Sequence, residues 1–105
     1  MLDSKNLTIE EFSEKINSDE SAIIHDLRTF EEYSKGHITN SLLVDIYHPT
    51  YQKKIMELDK SKNYYIYCRI GSRRYHAGYF ILQMGFEKVS HLQDGIIAWK
   101  DNLEI

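Results

Sequence analysis

The chain has 105 residues, 42% apolar and 12% aromatic side chains, and a formal net charge of −3. That is enough chain for one compact core and too little for two, and the apolar share excludes a disordered polymer. The mild charge gives no reason to expect nucleic acid, and a single cysteine cannot close an internal disulfide, so nothing calls for an oxidising compartment. Met1 to Asn6 lacks the basic start and apolar run of a signal peptide, and no apolar stretch approaches the roughly 20 residues that cross a bilayer. The expectation is one domain over 1–105, cytoplasmic, with no membrane partner.

In chain order, Thr8 to Asn17 reads as a helix, with Thr8 as cap, Glu11 three residues on, and Ile9, Phe12 and Ile16 on one face. Ala22, Ile23 and Ile24 form a short apolar run that fits a buried strand ending near His25-Asp26. Thr29 and Glu32 repeat the capping spacing, which predicts a short helix over Phe30 to Lys35 stopped by Gly36. Leu42 to Ile46 and Tyr64 to Tyr67 are further apolar runs, with helical spacing over Tyr51 to Leu58 between them. Ala77, Phe80, Ile81 and Met84 mark a buried helix face that starts near Ser72 and ends at Gly85. Lys88 to Leu92 reads as a last strand, and Gly95 to Asn102 as a last helix with Ile96, Ile97 and Trp99. Strands alternating with helices imply an α/β fold with a parallel sheet covered on both faces. In such sheets the working residues lie beyond the carboxyl ends of the strands, so Asp26 and Cys68 should share one edge.

Cys68 is the only cysteine, and it stands where a strand gives way to a helix. A tight turn over residues 68 to 73 would offer unpaired backbone N–H groups and the positive end of the helix dipole. Gly71 gives that turn backbone freedom. Arg69, Arg73 and Arg74 add positive charge, and no acidic residue lies between Asp59 and Glu87, a window that also holds Lys60 and Lys62. These groups favour a thiolate over a thiol and suit Cys68 to nucleophilic catalysis rather than to an inert core position. Two chemistries fit: holding sulfur as a persulfide, or taking a phosphoryl group. Cys68 to Arg73 is C-x4-R, and Cys68 to Arg74 is C-x5-R, the phosphatase spacing. Tyr67 and Tyr75 stand where such phosphatases carry His and Ser or Thr, which weighs against that reading.

The segment CRIGSRR resembles the active-site loop C-R-x-G-x-R of rhodanese-like sulfurtransferases. "IIHDLR" (Ile23 to Arg28), "EEYSKGHITNSLLVDI" (Glu31 to Ile46) and "MGFEKVSHLQDGIIAW" (Met84 to Trp99) are similar to three further family segments, in the right order. The resemblance implies a three-layer α/β domain, with a central, mainly parallel sheet of about five strands and helices on both faces. It implies that Cys68 is the nucleophile, and that Arg69, Ile70, Gly71, Ser72 and Arg73 cradle the persulfide and bind a small anionic donor such as thiosulfate. It implies a thiophilic acceptor (cyanide, a thiol or a carrier protein) and no cofactor. The loop from Cys68 to Arg73 has the six-residue length associated with sulfur transfer, one shorter than in phosphatase relatives. A non-catalytic interaction module is the remaining alternative, and the presence of Cys68 argues against it.

Arg74 stands where Ser or Ala is common and is expected to face solvent, with a supporting role at the loop as the alternative. Asp26 and Arg28 are supporting candidates, as catalytic acid and anion clamp or, preferably, as a structural ion pair at the base of the loop. Asn40 and Asp94-Gly95 depart from frequent family glycines, but each tolerates unusual backbone angles. The five histidines are dispersed, which argues against a metal site, and His37 is expected to brace the turn after the short helix. Trp99 is expected in the core, and eight scattered tyrosines without a basic repeat do not suggest RNA binding.

Overall fold

A computed structural model of the chain describes residues 3–45, 48–69, 88–93, 95–99 and 103–105. The elements run β1 (Asp3–Leu7), α1 (Ile9–Ser18), β2 (Ile23–Asp26), α2 (Phe30–Lys35), β3 (Leu42–Leu43), α3 (Tyr51–Met56), β4 (Asn63–Tyr67), β5 (Lys88–Leu92) and a 3-10 turn (Ile96–Ala98). The five strands form one parallel sheet in the order β1-β5-β4-β2-β3. This is the α/β architecture expected from the sequence. The helix anticipated between Ser72 and Gly85 lies outside the described residues.

Local chemistry sets both N-terminal helices. Thr8 accepts from the Glu11 amide, and the Glu11 carboxylate accepts from the Thr8 amide, closing a capping box at α1. Thr29 and Glu32 repeat the device at α2. Gly36 then ends α2 with its N–H on the Tyr33 carbonyl. His37 braces this turn: its ring stacks on Tyr33 at 3.8 Å between centroids, and its Nδ1 lies 2.9 Å from the Tyr33 carbonyl. Asn40, with φ 67, takes a left-handed turn that asparagine tolerates better than most residues.

Parallel register places Ile24 beside Tyr65 and Asp26 beside Tyr67 on one face of the sheet, and His25 beside Ile66 on the other. The first face packs under α1, where Phe12 is fully buried. Its ring meets Tyr65 and Trp99 edge-on, at 5.8 and 6.1 Å between centroids. Ile9 and Ile16 flank it, so the predicted apolar stripe of α1 faces the core, and Trp99 is a core contact. The second face buries His25, Tyr64, Ile66, Val89 and His91. Residues 64–67 of β4 are buried on both faces, as the unbroken apolar run required.

Three elements differ from expectation. β1 carries no apolar periodicity: it is an edge strand with one neighbour, and Leu7 is its buried apolar residue among those whose exposure is described. Of the apolar run Leu42 to Ile46, Leu42–Leu43 pair as a strand, again at an edge, while Val44 and Asp45 do not. The last helix, expected over Gly95 to Asn102, is described as far as Trp99, and there it is a 3-10 turn at Ile96–Ala98 followed by extended backbone at Trp99 (φ −69, ψ 129). Its first amides are drawn to carbonyls of another segment, and its apolar spacing does not mark one buried face: Ile96 is buried while Ile97 is 63% exposed.

Candidate active site

The carboxyl ends of β2 and β4 lie side by side, because Asp26 registers with Tyr67. The Leu27 amide donates to the Tyr67 carbonyl at 2.9 Å, and the Val44 amide to the Asp26 carbonyl at 2.8 Å, so the chain leaves both strands fixed. Cys68 follows at once. It sits at the edge where strand-end reasoning put it, fully screened from solvent, and Arg69 after it is exposed. Ile70, Gly71, Ser72, Arg73 and Arg74 lie outside the described residues. Of the loop expected over residues 68 to 73, Cys68 and Arg69 are described.

Asp26 is completely buried and never left without donors. Its Oδ1 accepts from the Arg28 amide (3.0 Å) and Arg28 Nε (2.9 Å), and its Oδ2 from an Arg28 terminal nitrogen (2.6 Å) and the Tyr67 hydroxyl (2.7 Å). The same Arg28 nitrogen donates to the Gly36 carbonyl at 2.6 Å, and the guanidinium lies 5.6 Å from the centre of the Tyr67 ring. Asp26 and Arg28 are therefore joined as a buried ion pair at the base of the loop. Burial opposes the Arg28 charge, but hydrogen bonding and attraction to Asp26 outweigh it and hold its pKa above the ordinary value. Burial, reinforced by the Asp26 charge, pushes the Tyr67 phenol up, so its hydroxyl stays a donor.

Tyr67 completes the arrangement. Its hydroxyl oxygen accepts from the Ile38 amide at 3.1 Å and lies 3.0 Å from the buried Ser41 hydroxyl. One phenol thus ties the residue before Cys68 to β2 and to the turn between α2 and β3. Sequence reasoning weighed Tyr67 only as a departure from phosphatases and did not reach Ser41. The available signal was parity: on adjacent parallel strands, a tyrosine in register with a buried aspartate shares its face.

The cationic window of the sequence is divided in space. Lys60 and Lys62 precede β4 and are exposed, while Arg69 follows it. A strand of five residues, roughly 16 Å long, separates them, so the two lysines do not belong to the Cys68 edge. Among the described residues, no cluster of three or more His, Cys, Asp or Glu could hold a metal. Among them, too, no helix is long and apolar enough to cross a membrane.

The sequence model of the family described as "Rhodanese-like domain" matches residues 8–102. A "Sulfurtransferase" of Allochromatium vinosum is 32% identical over 90 residues, covering 86% of this chain and 82% of its own. A "Putative sulfur carrier protein YrkF" of Bacillus subtilis is 35% identical over 98 residues, covering 93% of this chain; the chain spans only 52% of that relative. Among solved structures, a rhodanese-like domain protein from Staphylococcus aureus superposes with a TM-score of 0.82 at 29% identity, covering 96% of this chain and 97% of the other. A buried ion pair under a strand-end cysteine, on a five-stranded parallel sheet, agrees with these likenesses, and the chain belongs to the rhodanese-like domain family.

Proposed function

We propose that this chain is a sulfurtransferase that carries sulfane sulfur on Cys68. The Cys68 thiolate attacks the outer sulfur of a donor such as thiosulfate. A bond forms between Sγ and that sulfur, the sulfur–sulfur bond of the donor breaks, and sulfite leaves with the electron pair. Cys68 is left as a persulfide anion, and charge balances without an oxidant. A thiophilic acceptor then takes the terminal sulfur and restores the thiolate; with cyanide the product is thiocyanate. Arg69 and Arg73 hold the anionic donor, and the backbone of Ile70, Gly71 and Ser72 stabilises the leaving charge. Asp26 and Arg28 act from below, through Tyr67. No cofactor takes part, and a cytoplasmic setting suits a reduced thiol.

One observation carries this reading: Cys68 stands one residue beyond Tyr67, whose side chain is locked to Asp26 at the carboxyl edge of a parallel sheet. A relative named as a putative sulfur carrier supports a protein thiol as the cellular acceptor. The test is intact mass after incubation with thiosulfate. The protein should gain one sulfur atom, lose it to cyanide or thiol, and gain none as Cys68→Ser. No adduct, together with Cys68-dependent hydrolysis of an aryl phosphate, would replace this reading with the phosphatase one.

A further inference from the structure

Three consecutive backbone carbonyls at the candidate site are each taken by a separate amide. The Tyr67 carbonyl accepts from Leu27 at 2.9 Å, the Cys68 carbonyl from Ile96 at 2.8 Å, and the Arg69 carbonyl from Ile97 at 3.1 Å. The last two donors open the 3-10 turn, where N–H groups have no partner within the turn. Gly95 delivers the chain to that turn with φ 73 and ψ 179, a conformation that suits glycine. The mechanism above makes no use of this segment, although two of its bonds fall on the nucleophile and its neighbour.

We propose that the Ile96–Ala98 turn is a positioning device for the sulfur-binding loop, acting through the Ile96 and Ile97 amides. A trans peptide points its N–H opposite to its C=O. Holding the Cys68 carbonyl on the Ile96 amide therefore turns the Arg69 N–H, the first amide after the nucleophile, away from the turn. An amide aimed in advance stabilises a thiolate, and the charge that develops during transfer, without reorganising at the moment of reaction. Ile96 and Ile97 are positioning residues here, since they act through the backbone carbonyls of Cys68 and Arg69.

Two substitutions at Ile96 test this. Gly95 has the extended ψ required before proline, and Ile96 opens the turn, where proline is accepted. Ile96→Pro thus deletes one N–H, and because its ring Cδ takes the hydrogen's place it also drives the Cys68 carbonyl off the turn. Ile96→Ala keeps the amide and measures the packing lost with the side chain. Two quantities are compared: the pH profile of Cys68 alkylation by iodoacetamide, and the rate of persulfide formation from thiosulfate. Ile96→Pro should move the alkylation midpoint to higher pH and slow sulfur uptake about tenfold more than Ile96→Ala. A merely structural role would lower the melting temperature of both and leave the midpoint in place.

If Ile96→Pro does not fold, the same loss is made by ligating residues 1–67 to a synthetic 68–105 segment through Cys68, with an ester in place of the 95–96 amide. The all-amide ligation product is its reference. Equal effects of proline and alanine, or an unmoved midpoint in the ester protein, overturn the proposal. It rests on the sulfurtransferase reading only for the uptake rate. Should the unaltered protein take no sulfur, that reading fails, while the alkylation comparison still decides the role of the turn.

Discussion

The Tyr67 hydroxyl and the Asp26 carboxylate, residues from different strands, meet at 2.7 Å with both side chains fully buried. The phenol also receives the Ile38 amide, so one oxygen joins β4, β2 and the loop before β3. Tyr67→Phe keeps the ring and its packing but strands the Ile38 amide and removes a donor from Asp26. Stability should fall by about 2 kcal/mol, read from urea midpoints. Sulfur uptake should also slow, because the deleted bonds anchor the residue before Cys68. Unchanged midpoints would mean that a water replaces the hydroxyl.

The Asp26–Arg28 pair makes a sharper prediction. Removing one partner leaves the other charge buried, which costs about 3–5 kcal/mol. Arg28→Met alone should therefore destabilise strongly by stranding the carboxylate. Adding Asp26→Asn to it should recover part of the loss, since no net charge is then buried. A double variant no more stable than Arg28→Met would show that the geometry of the network, rather than its charge, supplies the stability.

Much of this arrangement is legible in the sequence, for local reasons. Thr8 with Glu11 and Thr29 with Glu32 lie three residues apart and announce their helices without tertiary help. β2 and β4 are visible because both of their faces are buried, and β5 through its buried Val89 and Leu92. β1 is not, because Asp3 to Leu7 lies at an edge and carries one buried apolar side chain among the residues whose exposure is known. The last helix was misjudged because Ile97 counts as apolar in a pattern yet faces solvent. At the site, Cys68 and its edge follow from strand placement. The bonds that fix it join residues 26 to 67, 41 to 67 and 68 to 96, separations at which no periodicity speaks. Charge along the chain misled for the same reason: a strand lies between Lys62 and Arg69.

Arg69 is the exposed cation nearest Cys68 in the described chain, with its backbone carbonyl fixed by Ile97. Arg69→Gln should reduce the second-order rate with thiosulfate by about three- to tenfold at low salt, with the difference shrinking as salt rises. Lys60→Gln and Lys62→Gln, at the opposite edge, should leave that rate unchanged. A large effect of either lysine would contradict the division of charge by β4.

Thr29 joins Arg28 to α2, so its cap serves both helix and ion pair. Thr29→Ala removes the acceptor of the Glu32 amide and should cost about 1 kcal/mol in chemical denaturation. Thr8→Ala, the equivalent loss at α1, should cost a similar amount without affecting sulfur uptake, because α1 caps the core and not the site.

His25 gives the fold an acid-sensitive point. It is 2% exposed, its Nδ1 has no hydrogen-bond partner, and its ring lies 5.3 Å from that of Tyr64. Burial pushes its pKa down to about 4, so it is neutral in the native protein at pH 7. An unfolded chain takes up a proton near pH 6.5, the native state only near 4. Between these values the unfolded state binds more protons, so stability falls as pH is lowered through that window and is insensitive to His25 above it. The loss from this residue between pH 7 and pH 5 should be about 2 kcal/mol. His25→Phe preserves a buried ring and removes the proton uptake, so the variant's urea midpoint should depend less on pH across this range. Equal slopes for the two proteins would show that His25 gains a charge-stabilising partner on acidification.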